Sequence, residues 1–533
     1  MTHPVPDGAV RAAAVLAIGL ALAGLTVWPG SVPGLHGDEA WSLLRIDDIM
    51  AGRHRLDGMN RYTGVLHHYL SLPLTALLGP IPPALRLTGA ILNVLALLAL
   101  FALLARLDAD RPLVRFWTPL LVVTSANFVI QSRFAIEVTM LMPLLVFAAG
   151  ALLVRAATLA GPARAAGAVV AGVLLGLSVY SHLLAAAVVG GLGLGALAAF
   201  GWRVVIHPVA LWLAAGVLAG CVPRLVSLVL AVREPKPESL AAAVPARATG
   251  IDTAAVWGAV LGYLGDFAYL PVFVGRLMDG DLLFLRTTGQ LVLAVLPFMS
   301  LSLAAFGAMA LLRRPWTIGR VDRGLIVAFL ASLVLTFIIT PQLSLRYFAL
   351  HATVAIYLLV RLVAAWSEAG AGRRIVAHAL LGTLAIAQAA YVTTNYLVAF
   401  RRTGGLETTF QIGFRLRETS SHFVRSDGLY RDLGAAGIRE VYGNDLLAWS
   451  LAAYDLPHRT IAGRSIGGGQ WPPQPAQPAS AAIVFFASET MPDGRIAGDA
   501  SGLLVGGQTF VRAAGFDPRF AVFRWTGPKA STP

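Results

Sequence analysis

The chain has 533 residues, of which 57% are hydrophobic and only 13% charged, and its mean hydropathy is +0.72. That balance excludes an ordinary soluble protein, which carries roughly 25% charged residues, and describes a polytopic α-helical membrane protein. The net charge of +13 rests almost wholly on arginine, with Lys236 and Lys529 the only lysines, and a single cysteine, Cys221, excludes an intramolecular disulfide or a cysteine-built metal site.

A window of about 20 residues, the length that crosses a hydrocarbon core as helix, predicts eleven spans. They cover 10–29, 84–106, 113–131, 134–154, 166–182, 183–200, 204–232, 288–312, 324–341, 347–366 and 375–398. The first is read as uncleaved, because Trp28-Pro29-Gly30 is not a small-residue cleavage site. With the N-terminus inside, Arg106, Arg111 and Arg115, then Arg155 and Arg164, Arg203, Arg313, Arg314, Arg320 and Arg323, and Arg373 and Arg374 all fall on inner connections. The basic excess therefore reports orientation by the positive-inside rule, and nucleic acid is not an expected partner.

This orientation places 30–83, 233–287, the 341–346 turn and everything after 399 on the outer face. The first outer segment opens with His36-Gly37-Asp38-Glu39-Ala40-Trp41, two adjacent carboxylates just beyond a span. Ionisable groups at that position need a reason to be there, which makes the pair the first candidate for chemistry. Residues 43–56 mix apolar and charged positions at helical spacing and predict a helix lying on the membrane surface; 64–79, with His67, His68 and Tyr69, predicts a second. His36, His67 and His68 could suggest a divalent metal, but adjacent histidines on a helix point about 100° apart and rarely face one ion, so a metal is not indicated and no cofactor is expected.

In 233–287, Arg233-Glu234-Pro235-Lys236-Pro237-Glu238 reads as an irregular stretch and Trp257 to Met278 as an aromatic-rich return to the interface. Beyond about residue 400 the charges spread evenly, 14 basic against 11 acidic, which predicts a small soluble α/β domain over 400–533 after a membrane domain over 1–399. Strands are expected at 438–442, 481–486 and 520–525, a helix at 445–454, and a loop at 467–473. The domain carries no nucleophile, metal or phosphate-loop spacing, so recognition or scaffolding is expected of it.

Four places resemble the GT-C superfamily of integral membrane glycosyltransferases, in particular the protein O-mannosyltransferases and lipid A aminoarabinose transferases. They are the Asp38-Glu39 pair after the first span; Tyr62 to Leu107, with Pro73, Leu74 and the helix start Ala84-Leu85-Arg86-Leu87; Ser132-Arg133-Phe134-Ala135-Ile136-Glu137; and Ser344-Leu345-Arg346-Tyr347. The resemblance covers about residues 10–366, and it is the shared order of these motifs on one face that carries it.

The resemblance implies a GT-C-like fold of about 11 transmembrane helices with interfacial helices. It also implies transfer, with inversion, of a sugar from a polyprenyl-phosphate donor to a cell-envelope lipid, polysaccharide or protein, at the outer face of a bacterial cytoplasmic membrane. Such chemistry needs a carboxylate to take the proton of the acceptor hydroxyl, and cations or donors to hold the leaving phosphate. Asp38 is the expected base, with Glu39 as its partner or a sugar ligand. Arg346 and Arg133 are expected at the phosphate, with Tyr347, His182, His67 and Arg61 as further donor-binding residues and Glu137 orienting Arg133 or binding a sugar hydroxyl.

Each residue has a plainer reading. Arginines at span ends snorkel to headgroups, His182 closes a span, and Glu137 pairs with Arg133 at helical i,i+4 spacing. The chain also departs from the family pattern: Phe348-Ala349-Leu350-His351-Ala352 has no proline after the Arg-Tyr motif, and the first outer segment has no lysine, so Arg53, Arg55 or Arg61 would stand in for it. The alternative function is a transporter or flippase of lipid-linked precursors, which would place charges near the bilayer midplane and show inverted repeats.

Overall fold

The apolar runs of the sequence become helices, which satisfy their own backbone where no water can. The computed structural model describes residues 6–54, 56, 58, 62–233, 319–339, 345–398, 401, 409–412, 416–419, 425–466, 477–487 and 489–528. Six helices among them are long and apolar enough to cross a membrane: Asp7–Thr26, Pro82–Leu107, Glu137–Ala157, Gly161–Ser181, Pro208–Ser227 and Arg346–Ser367. Pro112–Thr124 and Ala185–Phe200 are apolar but shorter, and Arg320–Ile339 and Ala371–Tyr391 complete the helical set that overlaps the expected spans. The expected span at 288–312 lies outside the described residues.

We number the first helices α1 (Asp7–Thr26), α2 (Gly37–Met50), α3 (Leu66–Leu78), α4 (Pro82–Leu107), α5 (Pro112–Thr124), α6 (Ala126–Ser132), α7 (Glu137–Met140), α8 (Met142–Ala157), α9 (Gly161–Ser181), α10 (Ala185–Phe200) and α11 (Pro208–Arg233). The expected continuous span 113–131 is broken. Ser125 is extended, and its side chain accepts the Phe128 N–H at 3.1 Å to start α6 afresh. A second break follows, because Ile136 is again extended before α7 begins at Glu137.

Neighbouring helices approach through small residues, as lipid-embedded helices do where apolar contact alone gives no preference for protein over lipid. On α9, a Cβ at Gly172 would meet the Gly216 Cα of α11 at 2.9 Å, and one at Gly176 would meet the Gly220 Cα at 2.8 Å. At one end of the bundle, buried Asp108 accepts from the Tyr357 hydroxyl at 2.8 Å and pairs with Arg361 at 3.2 Å, while Arg361 also reaches Asp322 at 2.7 Å. Three helices are thereby tied where they leave the bilayer.

The surface helix expected at 43–56 begins at Gly37 instead. His36 caps it through Nδ1, which accepts the Asp38 N–H at 3.0 Å, and the Glu39 carboxylate accepts the His36 N–H at 3.1 Å. This reciprocal pair satisfies two donors at the helix start and moves Asp38 and Glu39 from a loop into its first turn.

After residue 425, strands β3 (Glu440–Gly443), β4 (Ala462–Ser465), β5 (Ala481–Phe486), β6 (Gly502–Val505), β7 (Gln508–Arg512) and β8 (Phe520–Pro528) form a six-stranded sheet in the order β4-β3-β5-β8-β7-β6; a separate two-stranded pair joins β1 (Thr409–Ile412) and β2 (Leu416–Thr419). β3 pairs in parallel with β4 and β5, and the remaining pairings of the larger sheet are antiparallel. Asp445–Asp455 is helical, and the helix docks on α2: Leu446 packs on Gly37, Ser450 donates to the Leu35 carbonyl at 3.4 Å, and just beyond it Arg459 pairs with Asp47 at 2.8 Å. β4 and the β6–β7 hairpin were not expected from the sequence, and most of the expected loop 467–473 lies outside the described residues.

Candidate active site

Four segments converge at one end of the helices: the start of α2, residues 62–68, the α9–α10 junction, and the turn before Ala349. Asp38 Oδ2 lies 3.2 Å from Arg346 Nη2, and both side chains are only partly exposed, at 26% and 18%. His36 completes the group, with Nδ1 3.8 Å from Asp38 Oδ2 and Nε2 3.0 Å from Arg346 Nη1. Arg346 also lies over the ring of Tyr347, 5.3 Å from its centroid.

Behind this pair is a layer of aromatic and imidazole rings. His182 sits 5.5 Å from Tyr347 and 5.3 Å from Tyr62, centroid to centroid, and Tyr62 is hydrogen-bonded to Tyr347. Residues 62–64 are held there by backbone: the Leu183 N–H donates to the Tyr62 carbonyl at 2.9 Å and the Gly64 N–H to the Ser181 carbonyl at 2.8 Å. Gly64 must lack a side chain, since a Cβ would press on the Tyr180 carbonyl and approach the Tyr180 ring to 3.0 Å. Burial raises the Tyr62 phenol and lowers His67 to about 3, so the His67 imidazole is neutral.

His67 Nε2 lies 3.4 Å from Ser42 Oγ and 3.6 Å from Glu137 Oε2. The Ser42 hydroxyl donates to the Asp38 carbonyl at 2.8 Å, which ties α3 to the turn that carries Asp38. Arg224 of α11 donates to the Tyr180 carbonyl and stacks on the Tyr180 ring at 5.6 Å. The charges of Arg224, Arg346 and Asp38 reach both Glu137 and His182.

Two expected site residues do something else. Glu39 is fully buried: Arg86 grips it at 2.8 Å through Nε and 2.7 Å through Nη2, and it accepts the Ala135 N–H at 3.0 Å besides that of His36. Its oxygens are occupied inside the protein, so it anchors α2 on α4 and does not share a pocket with Asp38. Arg133 donates to main-chain carbonyls of Gly24, Val27 (2.5 Å), Trp28 (3.4 Å) and Val32 (2.9 Å). It closes the end of α1, and Glu137 lies 3.6 Å from His67 Nε2. Arg61 lies outside the described residues.

The sequence reading missed Arg86, Tyr62, Arg224 and the capping role of His36. Arg86 had a signal, since an arginine in the first turns of an apolar helix must find a buried partner; Tyr62 and Arg224 had none beyond their place near a span end.

No protein-family model and no curated protein matches the chain. Its architecture does have solved counterparts. ArnT from Cupriavidus metallidurans, in a crystal structure bound to undecaprenyl phosphate, superposes with a TM-score of 0.52 over 96% of this chain and 97% of that one, at 14% identity. The chain has the GT-C fold. The apo structure of the same ArnT aligns equally, with a TM-score of 0.52 and 15% identity over the same shares. The GT-C arrangement of bundled spans, surface helices and a C-terminal sheet domain thus accounts for nearly the whole length.

Proposed function

We propose that the chain is an inverting glycosyltransferase that moves a hexosyl or pentosyl group from a polyprenyl-phosphate donor to a lipid, polysaccharide or protein of the cell envelope, at the outer face of a bacterial cytoplasmic membrane. Its parts are a membrane domain over 1–399 and an outer domain over 400–533, with the N-terminus inside. The observation that carries the reading is the Asp38–Arg346 contact at 3.2 Å, a carboxylate and a guanidinium held together where the spans end. The GT-C fold, and an ArnT solved with undecaprenyl phosphate, support it.

The reaction asks for one base and one anion holder. A sugar phosphate that enters beside Arg346 competes with Asp38 for the guanidinium, and its anionic oxygens take the bidentate donors that suit them. Asp38 is released to accept the proton of the incoming acceptor hydroxyl. As the acceptor oxygen bonds to the anomeric carbon, the bond from that carbon to phosphate oxygen breaks, and the electron pair leaves on polyprenyl phosphate against Arg346, with Arg224 the second positive charge nearby. Tyr62, Tyr347 and His182 line the space as hydrogen-bonding groups. Reconstituted protein is expected to convert undecaprenyl-phosphoryl sugar to undecaprenyl phosphate, and Arg346→Gln to raise the donor KM at least tenfold. Solute uptake without consumption of the lipid-linked sugar would replace this reading with a transporter.

A further inference from the structure

His36 faces two donors at once. Its Nδ1 accepts the Asp38 N–H at 3.0 Å, and its Nε2 lies 3.0 Å from Nη1 of Arg346, a group that only donates. An imidazole does not accept at both nitrogens. One nitrogen of the neutral ring holds the hydrogen, and both do in the charged ring, so the nitrogen that accepts fixes the state of the other. The Asp38 N–H belongs to the first turn of α2 and has no freedom to turn away. Nδ1 is therefore the acceptor, and Nε2 carries the hydrogen.

The surroundings hold the ring in that state. His36 is buried, its own N–H donates to the Glu39 carboxylate that Arg86 grips, and its ring packs edge-on against Phe134 at 5.4 Å. Arg346 is the more adjustable partner, because its side chain is partly exposed and comes from the short turn Leu345–Phe348. Two N–H donors, one fixed and one adjustable, thus stand with their nitrogens 3.0 Å apart beside the Asp38 carboxylate. Donors set this way do not bond each other, whereas an anionic oxygen placed across them takes a hydrogen from each.

We propose that His36 is a catalytic residue as well as a helix cap: its Nε2–H donates, beside Arg346, to an oxygen of the polyprenyl phosphate that leaves as the sugar is transferred. The proposal rests on the glycosyltransferase reading of the Asp38 site.

The change of charge during transfer gives this contact its effect. A polyprenyl-phosphoryl sugar is a phosphodiester with one negative charge. When the bond from the anomeric carbon to phosphate oxygen breaks, the electron pair stays on that oxygen and adds a second charge. A donor already in place binds the transition state and the product more strongly than the intact lipid-linked sugar. The same hydrogen works against the resting Asp38–Arg346 pair, since Nε2–H and Nη1–H repel, and this favours a turn of Arg346 toward an entering phosphate.

Serine separates the two roles of His36, because it keeps an oxygen that caps the start of α2 and has nothing where Nε2 stood. The test uses the full-length protein in detergent and reads thermal stabilisation by undecaprenyl phosphate and by undecaprenol, the same chain without phosphate. The wild-type protein is expected to bind undecaprenyl phosphate more tightly than undecaprenol. His36→Ser is expected to unfold near the native temperature, to keep its response to undecaprenol, and to bind undecaprenyl phosphate at least about tenfold more weakly, the scale of a hydrogen bond to a charged group. His36→Asn, which also caps and whose shorter amide stops short of the Nε2 position, carries the same test should His36→Ser misfold. Native affinity for undecaprenyl phosphate in the folded variant would leave His36 as a cap alone and overturn the proposal. An equal loss on both lipids would overturn it too, by marking a disturbed site in place of a lost phosphate contact. No preference for the phosphate in the wild-type protein would instead overturn the donor reading itself, and the role of His36 with it.

Discussion

Arg86 holds Glu39 in a two-point ion pair, 2.8 Å from Nε and 2.7 Å from Nη2, with side chains 3% and 0% exposed. The guanidinium also donates to the carbonyls of Pro29, Pro33 and Gly34. The first turn of α2 is thus fixed to α4 and to the chain that leads into it, and Asp38 inherits its position from that anchor. Removing one partner of a buried pair strands the other charge and costs about 3–5 kcal/mol. Glu39→Ala and Arg86→Met are each expected to lower Tm by several degrees and to reduce folded yield, measured by size-exclusion chromatography and thermal unfolding.

Arg133 is expected to behave as a structural residue. Its hydrogen bonds to the end of α1 are to main-chain oxygens, so a lysine, with one point of charge in place of a planar fork, cannot replace them. Arg133→Lys should lower stability by about 2 kcal/mol or more and leave the donor KM of the folded fraction within twofold. A large rise in KM with unchanged stability would return Arg133 to the phosphate site.

Buried His67 gives the protein a pH dependence. Burial holds it at about 3, while the unfolded chain titrates near 6.5. Between those values the unfolded state binds more protons than the folded one, so stability falls as pH drops from about 6.5 toward 3, by up to about 1.4 kcal/mol per unit. Thermal unfolding across pH 7 to 4 should show that slope, and His67→Gln should make it shallower.

The C-terminal sheet domain braces the same turn. A side chain at Gly37 would collide with Leu446, and such overpacking costs about 1–3 kcal/mol. Gly37→Val is expected to loosen the docked domain, seen as faster limited proteolysis after residue 425. Gly37→Val combined with Leu446→Ala should recover part of the loss, since the space taken by one side chain is vacated by the other.

The helical membrane architecture was legible because hydropathy and arginine placement report it directly, and the gathering of Asp38, Arg346, Tyr347, His182 and His67 at one end followed from charges collecting at span ends. Finer features were not. Ser125 breaks the third expected span, yet one serine barely changes a 20-residue average. The start of α2 was placed late because a histidine, not a serine or threonine, caps it. Adjacent Asp38 and Glu39 look alike in sequence, and only the third dimension shows that one meets Arg346 and the other is consumed by Arg86. In the sheet domain, Ala462-Gly463-Arg464-Ser465 has no strand-like apolar pattern, and the parallel partner β3 makes it a strand.

The central claim is that Asp38 takes the acceptor proton. Its most direct test is sugar transfer from undecaprenyl-phosphoryl sugar by purified Asp38→Asn protein, whose fold and response to undecaprenyl phosphate are checked by thermal unfolding. The account predicts a turnover at least about 10²-fold below that of the native protein, the scale of a lost general base, with donor binding retained. Native-level turnover in the folded Asp38→Asn variant would contradict it.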